Sequence, residues 1–340
     1  MKIAATGVTS SVGRRFCEVA RERGHEVVGL VRDPQRMDAK SLERIGVRLV
    51  VGDVNNAPAL DTLVGGADVV MHAAAAVGDN ATREEMQRVN VEGTQAIVES
   101  AAKAGVGHFV NVSSTAVYGR PDHGRVTEAW PSRIVGTPYE DTKTQAERLA
   151  FERGKELGLS VIAIRPPIIY GPYDHNFMPR ALQSLKRRIV PLIDGGKAPL
   201  NVVWVDHVID VLLAAAGRRD LGGEAFNVMD CIDKRPPSVR EVFETIARAA
   251  DLPLPRIHLS YAAAMTLAKS IEFGYSRFKP QTKPPITPFV VKILTRDVIY
   301  DASKAAAELG FVPRMNPLAG IAHFAALFAG KISPHEHPKP

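Results

Sequence analysis

The first thirteen residues limit the fold more than any other stretch of the chain. Met1-Lys-Ile-Ala-Ala-Thr6 is a short apolar run, Gly7-Val-Thr9-Ser10-Ser-Val12-Gly13 follows it, and an amphipathic segment extends from Arg14 to Arg23. That order reads as strand, tight turn, helix. Glycine lets a backbone come close to a pyrophosphate, and a helix N-terminus offers unpaired N–H groups and a positive dipole end to phosphates. Gly7, Thr9, Ser10, Val12 and Gly13 are therefore the expected dinucleotide contacts, with a plain βα turn as the alternative. Ser10 stands where such a turn usually carries its middle glycine, and it tightens the loop.

A second strand is expected over Gly24-His-Glu-Val-Val-Gly-Leu-Val31, where a carboxylate at the strand end would hold the ribose hydroxyls of NAD. The strand end is Val31, and Arg32 follows at once. A guanidinium there pairs with a 2′-phosphate, which favours NADP(H). Asp33, one place further on, keeps NAD(H) open, and Arg36 either reinforces the phosphate site or is solvated. Val47 to Val54 reads as a third strand whose exit, Asp53 and Val54, borders the adenine. Ala67-Asp-Val-Val-Met-His72-Ala73-Ala74-Ala75 gives a fourth strand ending in small residues, as a backbone passing close to a dinucleotide requires. His72 is read as structural.

Strands alternate with helical stretches to about residue 165, the pattern of a doubly wound parallel α/β sheet around one large core. Then Pro166, Pro167, Pro172, Pro179, Pro191 and Pro199 break the rhythm. The expected organisation is a dinucleotide-binding domain over 1–165, with 201–228 returning to it. A smaller, discontinuous substrate lobe covers 166–200 and 229–332, and 333–340 form a flexible tail. Ser238, with Glu241 three residues on, marks a helix start. His335 and His337 are read as part of the tail rather than as metal ligands, and no metal site is expected.

Tyr139 and Lys143 lie four residues apart, on one face of a helix about one turn from each other. A free phenol titrates near a pKa of about 10, and a neighbouring cation favours the phenolate. The pair alone has little force, because Tyr-x-x-x-Lys is common on solvated helices. Its context changes the reading. In order, the chain carries Thr6-Gly7 to Gly13, Gly52-Asp53-Val54, His72-Ala-Ala and Val89-Asn90-Val-Glu-Gly-Thr94. It continues with Val112-Ser-Ser114-Thr-Ala-Val-Tyr118-Gly119, Tyr139 to Lys143 and Arg165-Pro-Pro-Ile-Ile-Tyr170-Gly-Pro172.

This succession resembles an extended short-chain dehydrogenase/reductase of the NAD-dependent epimerase/dehydratase superfamily, with a Rossmann-type fold. Val31-Arg-Asp-Pro34 resembles its dihydroflavonol reductase type. Pro284 to Phe289, Leu294 to Asp297, Tyr300 to Ala305 and Leu309-Gly-Phe resemble its 3β-hydroxysteroid dehydrogenase branch. The resemblance implies Ser114, Tyr139 and Lys143 as catalytic residues. Ser114 orients the substrate oxygen, Tyr139 moves the proton, and Lys143 holds the nicotinamide ribose and lowers the Tyr139 pKa. Ser113 and Thr115 are neighbouring hydroxyls, but Ser114 stands four residues before Tyr118 as in the family pattern. Asn90 is implied as a structural tie. Pro166 and Ile168 are implied beside the cofactor, with Pro167 where a small residue is common.

With 43 Lys+Arg against 37 Asp+Glu the net charge is +6. The basic residues are scattered without a nucleic-acid motif, so no nucleic-acid partner is expected. Two cysteines, Cys17 and Cys231, are too few for a disulfide framework. Cys17 falls on the inner side of the first helix. A strand beginning at residue 2 and the lack of a long apolar window point to a cytoplasmic protein, and the family resemblance to a homodimer through residues 82–104 and 137–157.

Sugar-nucleotide members of the superfamily carry an Arg shortly before the segment matching Trp204-Val-Asp206, where this chain has Leu200. That favours a small apolar alcohol or ketone as substrate. The apolar run Tyr261 to Phe278 either covers that substrate or packs on the lobe as an ordinary helix, and with Lys269, Arg277, Lys279 and Lys283 it also suggests weak peripheral membrane contact. Three functions follow. The leading one is an NADP(H)-dependent oxidoreductase for a sterol-like, flavonoid-like or 3-oxo-lipid compound. The others are a sugar-nucleotide epimerase or dehydratase with tightly held NAD, and a non-catalytic dinucleotide sensor.

Overall fold

A computed structural model describes residues 1–78, 81–119, 121–232, 234–278 and 286–333. Lys279, Lys283, Pro284, Pro285, His335 and His337, named above, lie outside the described residues, as does all of the tail but Ser333. The strands are β1 (Lys2–Thr6), β2 (Glu26–Val31), β3 (Arg48–Val51), β4 (Val69–His72), β5 (His108–Val112), β6 (His123–Val126), β7 (Ser160–Arg165), β8 (Ile168–Tyr170), β9 (Pro191–Ile193), β10 (Val202–Trp204), β11 (Ala225–Asn227), β12 (Ile257–Leu259) and β13 (Asp297–Tyr300). Seven form one sheet in the order β3-β2-β1-β4-β5-β7-β11, every neighbouring pair parallel. The chain direction across the sheet reverses between β1 and β4, so a crevice opens at their C-terminal ends, where doubly wound sheets bind ligands.

Alternation along β1 sends Ile3 and Ala5 to one face and Ala4 to the other. Ile3 and Ala5 join Phe16 and Cys17 of the helix Ser11–Glu22, and Val208 and Leu212 of the helix Val205–Ala216. Ala4 joins Leu60 and Leu63 of the helix Ala57–Val64, and Ile97 of the helix Gly93–Lys103. Where one large core was expected, the sheet divides the interior into two, because helices cover both of its faces. Cys17 is wholly buried, as its place in the helix pattern indicated, and burial pushes its thiol up to about 12.

Beyond the sheet, β8 pairs with β10, β9 with β12, and β6 with β13, each in parallel. Buried polar groups fasten these pieces. Asp230 accepts from the Tyr170 hydroxyl at 2.7 Å and the Trp204 amide at 2.8 Å, and lies 2.6 Å from His207 Nδ1. Arg165, at the end of β7, donates to Glu147 at 2.9 Å and to the Tyr118 hydroxyl at 2.8 Å, and Tyr118 donates to Asn227 of β11 at 2.7 Å. The helix Val239–Ala249 starts in the expected capping box of Ser238 and Glu241.

The helix Tyr261–Phe278 packs through Ala264, Met265 and Ala268 against Ile193, Val291 and their neighbours Leu259, Ile286 and Leu294. It lines neither cavity at the site described below, which decides between its two readings. The element standing over the substrate side is the shorter helix Pro288–Ile293.

Candidate active site

The glycine turn closes as its sequence requires. Gly7 has a φ of +67°, and a Cβ on it would lie 2.6 Å from the Ala73 carbonyl carbon and the Ala74 nitrogen, so the turn sits directly on the end of β4. A Cβ on Gly13 would lie 2.1 Å from the Gly7 oxygen. Gly13 and Val12 are buried beneath the loop and do not face the crevice. Ser10 fills a role that the expectation of a merely tighter loop missed. Its hydroxyl caps the helix Ser11–Glu22 by accepting from the Gly13 amide at 3.1 Å, in place of a glycine's conformational freedom.

One cavity at this helix N-terminus is lined by Gly7, Thr9, Ser10, Arg32, Asp53, Val54, Ala73 and Ala74, eight of the residues expected to hold a dinucleotide. Sequence reasoning missed Glu85 and Arg88 in the same wall. Arg88 immediately precedes the quoted motif Val89 to Thr94, and its guanidinium is 3.5 Å from Asp53. Arg32 is exposed, and among the described residues none is hydrogen-bonded or ion-paired with it. Asp33 faces elsewhere: it is not part of the wall and accepts from the Gln35 amide at 2.8 Å, closing a local turn. Arg36 lines the cavity but is held by Asp38 at 3.0 Å. A helix N-terminus with small residues around it fits the pyrophosphate of a nicotinamide dinucleotide.

A second cavity, about 300 Å³, is lined by Ser114 and Tyr139 of the three proposed catalytic residues. The helix Pro138–Leu157 carries both Tyr139 and Lys143. It begins with Pro138 at its first position, and the Asp141 carboxylate accepts the preceding Val135 and Gly136 amides at 2.8 and 3.1 Å. Tyr139 and Ser114 line the cavity together, and the Ser114 hydroxyl is near enough to act on the phenol. The three adjacent hydroxyls now separate. Ser113 is buried away from the cavity, while Ser114 and Thr115 both line it; Thr115 acts on Tyr300 and Ser114 on Tyr139. Ile168 lines this cavity beside Pro167, whereas Pro166 contributes a carbonyl that accepts from the Thr115 amide at 3.1 Å and the Ser114 hydroxyl at 3.5 Å.

Lys143 is buried, its ammonium donating to the Val112 carbonyl at 2.7 Å at the end of β5. Burial pulls its pKa down to about 8, against a smaller upward pull from Glu147. The expected lowering of Tyr139 is corrected by the structure: burial raises the phenol, with the Ser114 hydroxyl opposing and Glu140 adding to the rise. Desolvation disfavours the phenolate, and it is the largest influence on this phenol.

Asn90 sits in a π-helical turn, Gln87–Glu92. Its amide accepts from the Ala76 nitrogen at 2.6 Å and donates to Thr142 Oγ1 at 3.0 Å, one residue before Lys143, the tie expected of it. His72 extends that tie. It bridges Thr6 Oγ1 at 2.7 Å and Thr94 Oγ1 at 3.0 Å, and Thr94 donates to the Asn90 carbonyl at 2.6 Å. Burial first, and Lys143 second, lower the His72 pKa to about 3, so the ring is neutral.

The model of the NAD dependent epimerase/dehydratase family matches residues 3–228. The chain belongs to that family. It is an extended short-chain dehydrogenase/reductase, with distant relatives among ketoreductases and 3β-hydroxysteroid dehydrogenases. It is 28% identical over 324 residues to the 4-hydroxy-2-methyl-3-oxo-4-farnesyl-3,4-dihydroquinoline-1-oxide ketoreductase of Stigmatella aurantiaca, covering 94% of this chain and 95% of that one. It is 29% identical to the 3-beta-hydroxysteroid dehydrogenase of Mycolicibacterium neoaurum, covering 92% and 87%. Among solved structures, the UDP-glucuronic acid 4-epimerase of Bacillus cereus in complex with NAD superposes with a TM-score of 0.75 at 19% identity, covering 97% and 99%, which shows the shared fold. Among the described residues no helix is long and apolar enough to cross a membrane.

Proposed function

We propose that this protein is an NADP(H)-dependent oxidoreductase that interconverts a hydrophobic secondary alcohol and its ketone, sterol-like, flavonoid-like or 3-oxo-lipid in kind. The observation that carries the reading is the second cavity. The Ser114 and Tyr139 hydroxyl-bearing side chains share a cavity with walls built largely of Pro167, Ile168, Pro199, Leu200, Ile293 and Val298. Leu200 offers no partner for a diphosphate. The two relatives named above act, by their names, on apolar ring ketones and alcohols, which supports the same substrate class.

Gly7, Thr9, Ser10, Asp53, Val54, Ala73 and Ala74 would hold the dinucleotide, with Arg32 on its 2′-phosphate. The cofactor, when bound, supplies or accepts the hydride. Ser114 holds the carbonyl oxygen in place, and Tyr139 gives it a proton in reduction and takes one in oxidation. Lys143, fixed by the Val112 carbonyl, keeps two N–H groups for the ribose and a positive charge beside the phenol. Asn90 anchors the first turn of the helix that carries both. The homodimer and the weak membrane contact remain part of the proposal. The second is supported by Leu267 and Phe273, exposed on the helix Tyr261–Phe278 beside Lys269.

Two measurements test this reading. Fluorescence titration should show NADPH bound more tightly than NADH, with Arg32→Ala weakening NADPH by roughly 10- to 150-fold, the loss of a charge-assisted bond of about 1.5–3 kcal/mol. Tyr139→Phe should bind NADPH normally and reduce apolar ketones about 100- to 10,000-fold more slowly. Preference for NADH untouched by Arg32→Ala would overturn the cofactor assignment. Nicotinamide that survives dialysis would favour the epimerase, and a function indifferent to Tyr139→Phe would favour the sensor.

A further inference from the structure

A third cavity of about 400 Å³ lies beside the catalytic one. Its wall is largely apolar, with Phe177, Val190, Phe243, Ile286, Val290 and Leu294 along it; of its polar members Asn176 and Arg180 are exposed and Ser184 is half-buried. The two cavities share Ile168, Leu200 and Ile293 as common lining. None of these three side chains carries a polar group, so an apolar chain crossing between the cavities meets no unpaired donor or acceptor.

We propose that this annex receives a flexible alkyl or prenyl-like arm of the substrate, whose carbonyl lies at Ser114 and Tyr139. The inference rests on the reductase reading of the catalytic cavity and adds to it the shape of the substrate: a reactive carbonyl with one long apolar substituent. A methylene takes up about as much room as a liquid water, roughly 30 Å³, so the annex has room for about ten to thirteen chain carbons. Leu200 then has a second consequence beyond the missing diphosphate partner, since its side chain forms the step over which the arm passes.

The test is a calorimetric titration of the NADP⁺-loaded protein with straight-chain methyl ketones from about four carbons to several more than the annex holds, repeated as NADPH turnover. Affinity should rise about fourfold per added methylene, as expected for its full burial, and level off at about ten to thirteen carbons beyond the carbonyl. Ser184→Phe and Val290→Phe line the annex from two different helices, both away from Ser114 and Tyr139. Each should bring the plateau to shorter chains and leave the shortest ketones unaffected. Turnover with an affinity independent of chain length, or a plateau that neither variant moves, would overturn the annex while the reductase stands. Chain-length-dependent binding without turnover of any ketone would do the reverse.

Discussion

Replacing Lys143 with Met should make the protein inactive and, near neutral pH, more stable. The buried ammonium titrates at about 8 instead of 10.5. The folded chain therefore holds its proton less well than the unfolded chain, and stability rises with pH between those two values. Below about pH 8 both states carry the charge and burying it costs the folded state about 3 kcal/mol, at 1.36 kcal/mol for each tenfold change in proton affinity. Met fills similar volume without that cost, but it leaves the Val112 carbonyl without its donor, worth about 1 kcal/mol. The net expectation is a gain of about 2 kcal/mol near pH 7, which disappears as the wild-type lysine deprotonates and becomes a loss of about 1 kcal/mol above pH 10.5. Urea unfolding followed by circular dichroism on both proteins, from about pH 7 to pH 10, reads the difference. A variant less stable at neutral pH, or a difference that does not change with pH, would refute the assignment of a charged, desolvated lysine. The wild-type enzyme should correspondingly lose activity as pH rises through about 8, where the ammonium beside Tyr139 is lost.

Two further substitutions probe the frame around the site. Gly7→Ala forces a side chain into a backbone with φ +67° and a 2.6 Å approach to Ala73. It should cost about 1–3 kcal/mol in backbone strain alone and abolish NADPH binding in the fluorescence titration, whereas a variant that binds normally would mean the turn is not packed on β4 as described. His72→Phe keeps an aromatic ring but strips Thr6 and Thr94 of their shared partner. The wild-type imidazole, with its pKa lowered from 6.5 to about 3, contributes stability that is complete above 6.5 and lost as pH falls toward 3. The variant should be less stable at neutral pH by about 1–3 kcal/mol and should lose less on acidification, and an acid-unfolding profile as steep as the wild type's would rule out His72 as the responsible group.

What could be read from the sequence was whatever depends on near neighbours. Gly7 and Gly13 announce a turn because their spacing is local, and Tyr139 and Lys143 share a helix face whatever surrounds the helix. Arg32 could be placed because a strand end defines its own next residue. The far wall of the substrate cavity could not. Val298 and Tyr300 arrive there because β13 pairs with β6, Asp297 opposite His123, and nothing near residue 297 states that register. Arg296 and Ile293 come with it. For the same reason the sequence left the helix Tyr261–Phe278 open between substrate cover and ordinary packing helix, and only the fold brings Ile293 of Pro288–Ile293 to the cavity instead.

The misjudged pKa of Tyr139 has the same origin and also shows how the site is held. A sequence shows that a lysine is near a phenol, but not that both are desolvated or that the ammonium is tied to Val112. Nor does it show the polar chain behind them. Thr6, at the end of β1, bonds His72 at the end of β4; His72 bonds Thr94, Thr94 bonds Asn90, and Asn90 bonds Thr142 in the first turn of the catalytic helix. Thr6 also accepts from the Ala74 amide at 3.3 Å. The turn that would hold the pyrophosphate and the helix that carries Tyr139 are thus linked through neutral, buried side chains, which fixes their relative position without adding a charge next to Lys143. A protonated imidazole at residue 72 would repel that ammonium, and the depth of burial that keeps His72 neutral is what lets the chain pass so close to it.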